Sequence, residues 1–470
     1  WQVAKLAGSQ NQPTVKCAMR AAHLVGQPRL SVDRHHRSNA GAPWTLVGGA
    51  GAVALGVGLL GARKTVDIIA IAAEAAFLVF FVRHFFFTIS ALRSAPGDIS
   101  APVLDTGYRP SVSVLVACRN EEAVVDSLVR SLLSLEYPKD KLQLIVVDDG
   151  SSDRTGDLLD RYASGGRLSC LHRPPGSPGG KAGALNTALD QVRGEIVVVF
   201  DADHAPHSDV LRRLVRHFED PGVAAAQGRC EVRNADSSPL ARLVAIDYLA
   251  GYLVNEYGRQ SVFRLPAYGG ANCAVRARVL RELGGWNTAT VTEDTDLTLR
   301  LLLAAKRVRF DVSAVDEEEG VVTLQRYWRQ RYRWARGHQQ AWRDYRGAVW
   351  RSQVLSLPEK VETTLFLLAF HLPIVSAVGI GVVAAWLAGL GSPPVPFDFF
   401  VLWTLLFLGP ILELGAGLLL GKADRRWAFS LVYFLPLFLV SSALCSKAWL
   451  DGVLGRPYSW VKTRRAAEAD

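Results

Sequence analysis

The chain has 470 residues, 49% of them hydrophobic, with 53 Lys and Arg against 44 Asp and Glu for a formal net charge of +9. The length leaves room for more than one domain, and the apolar share is too high for an ordinary soluble protein and points to membrane segments. Basic residues are spread along the chain and flank apolar runs instead of interleaving with aromatics on one module, which argues against a nucleic-acid partner and suits membrane lipids and a phosphate-bearing substrate.

Residues 1–42 carry Lys5, Lys16, Arg20, Arg29, Arg34 and Arg37 against Asp33 alone and lack the order of a signal peptide, so a basic, poorly ordered cytoplasmic tail is expected. Two apolar runs follow, Pro43 to Ala62 and Val66 to Leu92, each about long enough to span a bilayer. A Pro- and Gly-bearing linker, Ser94 to Tyr108, then opens a different kind of sequence. Ser111 to Ala117 has the β-branched composition of a strand, and Arg119-Asn120-Glu121-Glu122 is expected to open a helix running to about Leu135. Leu142 to Val147 forms a second strand, ending at Asp148-Asp149-Gly150-Ser151. Gly180-Lys181-Ala182-Gly183 opens a further helix, and Glu195 to Phe200 runs into Asp201-Ala202-Asp203-His204. Strands alternating with helices imply a mainly parallel sheet, in which ligands bind beyond the carboxyl ends of the strands, where all these motifs fall.

Paired carboxylates at such a strand end suit a hard divalent cation also held by phosphate, although an Asp-x-Asp after a strand can equally cap a helix. Thr292-Glu293-Asp294 precedes a helical pattern, with Thr292 a fair N-cap and the carboxylates in the favourable first turn. On a helix, Gln330, Arg333 and Trp334 of Gln330-Arg331-Tyr332-Arg333-Trp334 share a face. Apolar runs from Thr363 to Leu390, Phe397 to Leu420 and Trp427 to Leu450 complete the chain; His371-Leu372-Pro373 could break the first of them. Six cysteines at scattered positions form neither a zinc pattern nor a disulfide framework.

In that order, Asp148-Asp149, Asp201-Ala202-Asp203, Glu293-Asp294 and Gln330-x-x-Arg333-Trp334 resemble the family 2 glycosyltransferases, in particular the membrane-bound processive branch with cellulose, hyaluronan and poly-N-acetylglucosamine synthases. The resemblance implies an α/β GT-A, Rossmann-like cytoplasmic catalytic domain inserted between transmembrane helices of the inner membrane. The expected division is 1–42 tail, 43–92 two transmembrane helices, 93–324 GT-A domain, 325–362 amphipathic interfacial helices, 363–450 C-terminal helices and 451–470 basic tail. It further implies inverting, metal-dependent transfer from a UDP-sugar to a growing β-linked polysaccharide coupled to export; transfer of one sugar to a membrane lipid such as ceramide, diacylglycerol or polyprenyl phosphate is the alternative.

Carried over residue by residue, Asp294 is the base. Glu121, Asp148, Asp149, Lys181, Asp201 and Arg333 hold the donor. Gly270, Glu293, Gln330 and Trp334 meet the acceptor, and Asp203 with Asp201 binds Mg²⁺ or Mn²⁺. Trp460-Val461-Lys462-Thr463-Arg464 is similar to a short stretch near the end of hyaluronan and chitin synthases. The gating loop of bacterial cellulose synthase is absent. An oligomer or an export partner is compatible with this reading.

Overall fold

The computed structural model describes residues 42–94, 107–390 and 396–456. The expected N-terminal tail and the Trp460–Arg464 stretch lie outside them. Helices α1 (Ala42–Leu60) and α2 (Ala62–Ser94) precede an α/β domain built on one eight-stranded sheet. Its strands are β1 (Val112–Cys118), β2 (Leu142–Asp148), β3 (Ser169–His172), β4 (Ile196–Asp201), β5 (Ala205–Pro206), β6 (Val223–Val232), β7 (Cys273–Arg276) and β8 (Arg307–Glu318), in the order β3-β2-β1-β4-β7-β6-β8-β5.

β1 pairs in parallel with both β2 and β4, and β2 in parallel with β3. Central strands of such a sheet are covered on both faces, and β4 accordingly reads as an unbroken apolar run up to Asp201, while β1 is apolar but for the buried Ser113. The register sets Cys118 of β1 opposite Asp148 of β2, and Ala117 opposite Asp201 of β4. The two acidic motifs are therefore delivered side by side at one edge of the sheet by backbone pairing alone.

The expectation of a mainly parallel sheet holds for this half and for the pairing of β6 with β8, but not throughout. β7 runs antiparallel to both β4 and β6, and β5 antiparallel to β8, so the sheet is mixed. The chain between β6 and β7 folds back through α7 (Pro239–Ala250) and two π-helical stretches, Gly251–Glu256 and Arg259–Phe263, instead of making a right-handed crossover. A second difference is local: the helix expected from Arg119 begins at α3 (Val125–Leu133), because Asn120 takes a positive φ of 54° and residues 119–124 form a turn.

Apolar layers cover both faces. One joins Val112, Val114, Val116, Val198 and Phe200 to α3 and α6 (Val210–Val215). The other joins Leu115, Val147, Val197 and Val199 to α5 (Gly180–Leu189), α8 (Ala277–Glu282) and α9 (Glu293–Leu303). The remaining crossover helix, α4 (Thr155–Ser164), packs beside β3.

Beyond the sheet, α10 (Leu324–Arg351) is a 28-residue amphipathic helix capped by Thr323, whose side chain accepts from the Arg326 amide. It packs on α11 (Leu357–Leu368) and on α14 (Phe434–Val453). The first C-terminal apolar run is broken where Pro373 stands: α11 and α12 (Leu372–Leu387) meet at a bend of 67°. α13 (Pro396–Leu420) packs against α2. Among the described residues two helical stretches, Ala62–Ser94 and Arg425–Val453, are long and apolar enough to cross a membrane, or three if the bent α11–α12 pair is one span.

Candidate active site

A cavity of about 690 Å³ opens at the carboxyl edge of β1, β2 and β4. Its wall holds Glu121, Asp149, Lys181, Asp201, Asp203, Gly270, Glu293, Asp294, Gln330, Arg333 and Trp334, so the structure brings together every site residue expected from sequence except Asp148. Asp148 is buried one position back: its Oδ1 accepts from the Ser151 amide at 3.1 Å and its Oδ2 lies 3.1 Å from His172 Nδ1. The Asp148 carboxylate thus shapes the turn, and Asp149 borders the space.

Asp149 pairs with Arg173. Burial pushes its carboxyl above the usual range, against the pull of Arg173 and Arg119. Glu121 is buried beside it, its amide donating to Thr155 Oγ1 at 2.7 Å. These groups line a pocket able to accept donors and ribose-type hydroxyls.

Lys181 stands at the centre. Its ammonium pairs with Asp201, donates to the Gly270 carbonyl at 2.8 Å and lies 3.7 Å from Glu293. Burial alone would lower its pKa, but Asp201 and Glu293 outweigh it and the pKa is raised, so the lysine stays charged. Glu293 moves the other way from an ordinary acid: burial and Asp294 raise it, against Lys181. Gly270 leaves a close space here, since a Cβ would sit 3.1 Å from Asp294 Oδ2 and 3.4 Å from Lys181 Nζ.

Asp294 lies in the first turn of α9, with Oδ1 accepting from the Thr295 amide at 2.6 Å and from Thr295 Oγ1 at 3.3 Å. The preceding Thr292 occupies the N-cap position, but its side chain makes no cap bond. Instead, α10 passes so close that a Cβ on Gly337 would fall 2.2 Å from Thr292 Cγ2. That contact seats the Gln-x-x-Arg-Trp helix on the loop carrying Asp294.

Along the cavity side of α10, Gln330 Oε1, Arg333 Nε and His338 Nδ1 are buried with no hydrogen-bond partner among the described residues. Unpaired buried polar atoms are costly to a folded chain. Trp334 borders the cavity, and the Arg331 guanidinium lies 4.4 Å from the centre of its ring system. Arg331 is itself held by Asp247 at 2.6 Å.

The donor set of Asp201 and Asp203 is hard oxygen at the cavity wall and fits a divalent cation that takes further ligands from phosphate. When bound, such a cation neutralises charge on a leaving diphosphate. His204, next in sequence, is buried between Asp316 and Glu318 (3.3 Å), and the two carboxylates anchor the turn to β8. Burial opposes its protonation, but Asp316 and Glu318 prevail and raise its pKa well above the usual value.

Sequence reasoning passed over several wall residues. Gln227 fixes the Gly270 loop by accepting from the Gly269 amide at 2.6 Å and donating to the Ala271 carbonyl at 3.0 Å. Phe80, Arg83 and His84 come from α2, and Phe366, Phe370 and Leu372 from the bend between α11 and α12. His338 was legible in principle, standing one helical turn after Trp334 on the same face.

The parallel half-sheet, its acidic strand ends, the central lysine and the Asp294 turn define a nucleotide-sugar transferase site of GT-A type. Residues 110–337 match the family described as "Glycosyltransferase like family 2". The chain is 38% identical over 298 residues to a beta-monoglucosyldiacylglycerol synthase of Synechocystis sp., covering 61% of this chain and 60% of that protein. It is 35% identical over 233 residues to the probable glycosyltransferase YdaM of Bacillus subtilis, covering 49% and 56%. A poly-beta-1,6-N-acetyl-D-glucosamine synthase of Staphylococcus epidermidis is 28% identical over 248 residues, covering 52% and 59%. The chain thus spans somewhat over half the length of these curated relatives. Among solved structures, a mannosyltransferase from Pyrobaculum calidifontis in complex with GDP-Man and Mn²⁺ superposes with a TM-score of 0.56 at 24% identity, over 83% of this chain and 100% of that one, a likeness of fold. The relatives divide between lipid and polysaccharide enzymes, so the processive branch is not singled out.

Proposed function

We propose that this chain is a membrane hexosyltransferase that moves one sugar, with inversion, from a nucleotide diphosphate sugar to a hydroxyl on the head of a membrane lipid. The observation that carries this reading is the course of the cavity. It is lined at the sheet edge by Asp149, Lys181, Asp201 and Asp203, and also by Phe80, Phe366, Phe370 and Leu372, apolar side chains of α2 and of the bend between α11 and α12, with Arg83 and His84 of α2 among them. A lipid entering between these helices would keep its tails in an apolar wall and bring its head to Asp294.

In this scheme Asp149 and Glu121 hold the nucleoside, uridine by the family resemblance. Lys181 and Arg333 meet the diphosphate, and Asp201 with Asp203 would hold Mg²⁺ or Mn²⁺ against it. Asp294 removes the proton of the attacking hydroxyl as the glycosidic bond forms and the nucleoside diphosphate departs. Alignment is the other half of the rate, and α10 supplies it by carrying Arg333 and Trp334 on one turn. The lipid enzyme of Synechocystis sp. is among the more similar relatives, which supports the same acceptor class. Trp334 at the wall and the likeness to a polysaccharide synthase favour the second reading, elongation of a β-linked polymer.

The deciding experiment incubates the full chain in lipid nanodiscs with radiolabelled UDP-hexoses and partitions the products. Label in the organic phase at the mass of one sugar plus lipid is expected. Label in water-soluble material of high molecular mass would overturn the lipid assignment.

A further inference from the structure

A second cluster of ligating side chains lies on the outer edge of the sheet, away from the cavity. β3 ends the sheet and is hydrogen-bonded to β2. Cys170 and His172 stand two residues apart on it, so their side chains leave the same face of the strand. Leu171 between them packs into the opposite apolar layer. α4, which packs beside β3, brings Asp160 to the face of Cys170 and His172. Cys170 Sγ lies 3.5 Å from His172 Nε2, and Asp160 Oδ1 lies 2.9 Å from the same nitrogen. The three ligating atoms all fall within 4.8 Å of one another, and none of the three residues borders the cavity. The side chains of His172 and Asp160 are 45% and 61% exposed, so an ion from solvent can reach them.

These spacings are close to those of a coordination sphere. Zn²⁺ holds sulfur at about 2.3 Å and nitrogen or oxygen at about 2.0–2.2 Å, so tetrahedral ligand atoms stand about 3.3–3.6 Å apart. The sulfur and the ring nitrogen already meet that spacing. The exposed Asp160 carboxylate has to retreat from the nitrogen by only about 0.4 Å. A second shell is present as well. His172 turns its other nitrogen, Nδ1, to Asp148 Oδ2 at 3.1 Å, and Asp148 is fixed in turn by the Ser151 amide at 3.1 Å. A carboxylate behind the ring is the arrangement that orients metal-ligating histidines. A plain histidine bridge between Asp148 and Asp160 needs no thiol; the sulfur beside Nε2 is what completes a ligand set. Sulfur and imidazole select a borderline or soft ion, whereas the oxygen-only pair of Asp201 and Asp203 suits Mg²⁺ or Mn²⁺.

We propose that Asp160, Cys170 and His172 form a second metal site, for Zn²⁺ or a similar thiolate-binding divalent ion, with water in the fourth position and separate from the cation of the transfer reaction. The ion fastens β3 to α4. β3 is only four residues long and sits at the margin of the sheet, so it gains from a cross-link more than a central strand would. Through His172 and Asp148 the same ion braces the turn that leads to Asp149. The spacing of cysteines along the chain cannot signal such a site, because its three ligands are of three types and come from two elements. The inference holds whichever acceptor the enzyme uses.

The test titrates the full chain in nanodiscs, stripped of metal by chelator, with Co²⁺ and then with Zn²⁺. Co²⁺ is the probe because a thiolate ligand gives it an intense near-ultraviolet charge-transfer band that an oxygen-only site lacks. A band that saturates at a single Co²⁺ per chain, is bleached by Zn²⁺ and survives excess Mn²⁺ is expected. Cys170→Ser should abolish the band. Asp160→Asn, a change at an exposed side chain, should weaken Co²⁺ binding at least about tenfold. Zn²⁺ should raise the thermal midpoint of the wild-type chain and leave that of Cys170→Ser unchanged. No thiolate band in the wild-type chain overturns the proposal and leaves His172 a hydrogen-bonded bridge between two carboxylates. An undiminished band in Cys170→Ser overturns it too, by assigning the thiolate to another cysteine. A signal displaced by Mn²⁺ would put the ion at Asp201 and Asp203 and remove the second site. Should Cys170→Ser fail to fold, unchanged Co²⁺ affinity in Asp160→Asn would still refute the ligand set.

Discussion

Replacing Asp294 by asparagine removes a base while keeping its shape, and the structure says how each oxygen is affected. Oδ1 receives both the Thr295 amide at 2.6 Å and the Thr295 hydroxyl at 3.3 Å. An asparagine carbonyl can hold both bonds, exchanging charge-assisted bonds for neutral ones at a cost of about 1 kcal/mol in stability. Oδ2 faces the Gly270 side of the cavity, and in the variant it becomes an NH₂ that cannot accept a proton. Loss of general-base catalysis at one site is worth about 100- to 10,000-fold, or roughly 3 to 5.5 kcal/mol of barrier. Donor binding should change little, because the hydrogen bonds of Asp294 go to Thr295 and Thr298 and to no residue of the nucleotide pocket. Single-turnover transfer and calorimetric titration with UDP measure the two effects separately. Transfer within threefold of wild type would refute the base assignment. A matching collapse of UDP affinity would show that Asp294 acts on the donor.

Asp203→Ala should abolish Mn²⁺-dependent UDP binding, read by calorimetry with and without chelator; equal affinity in both conditions would take the cation away from the Asp-x-Asp. Gly337→Ala forces a Cβ into Thr292 and should cost about 1–3 kcal/mol in unfolding free energy together with much of the activity; a variant as stable and active as wild type would mean that α10 does not seat the Asp294 loop. Asp311 is buried against Arg216 and His217; burial opposes its ionisation, but these partners hold its carboxyl well below the ordinary value of 3.8. A depressed folded pKa means that the stability from this carboxylate is complete above the unfolded value and is lost as pH falls through the folded one. Acid unfolding of Asp311→Asn should therefore show a shallower decline of stability below about pH 4 than wild type, and identical slopes would contradict the pairing.

Much of the site was legible because it depends on local rules. β2 and β4 are apolar runs that end abruptly in carboxylates, and parallel register on either side of β1 then brings those ends to one edge without further instruction. The bend at His371-Leu372-Pro373 was legible for the same reason, since proline acts on its own neighbours. What escaped is non-local. β7 is four residues long and antiparallel because of where β4 and β6 receive it, and nothing in Cys273–Arg276 encodes that. The π-helical stretches from Gly251 to Phe263 have no periodic signature; they are held by side chains such as Arg259, which reaches Glu362 on α11 at 3.2 Å. Asp148 and Asp149 look equivalent in sequence, and only the turn bond from the Ser151 amide to Asp148 separates their tasks.

Arg83 on α2 grips Glu362 on α11 with two hydrogen bonds, of 2.9 and 2.8 Å, and reaches Asn255 at 3.1 Å. Glu362 is 1% exposed, so in the finished protein the pair is sealed. The two partners are 279 residues apart. At about 5–20 residues per second, roughly 14–56 s pass on the ribosome between the first and the second. During that interval α2 carries a guanidinium without its carboxylate. The pair can close only once Glu362 has been made, so the bond that ties α2 to the chain beyond the catalytic domain is one of the last to form.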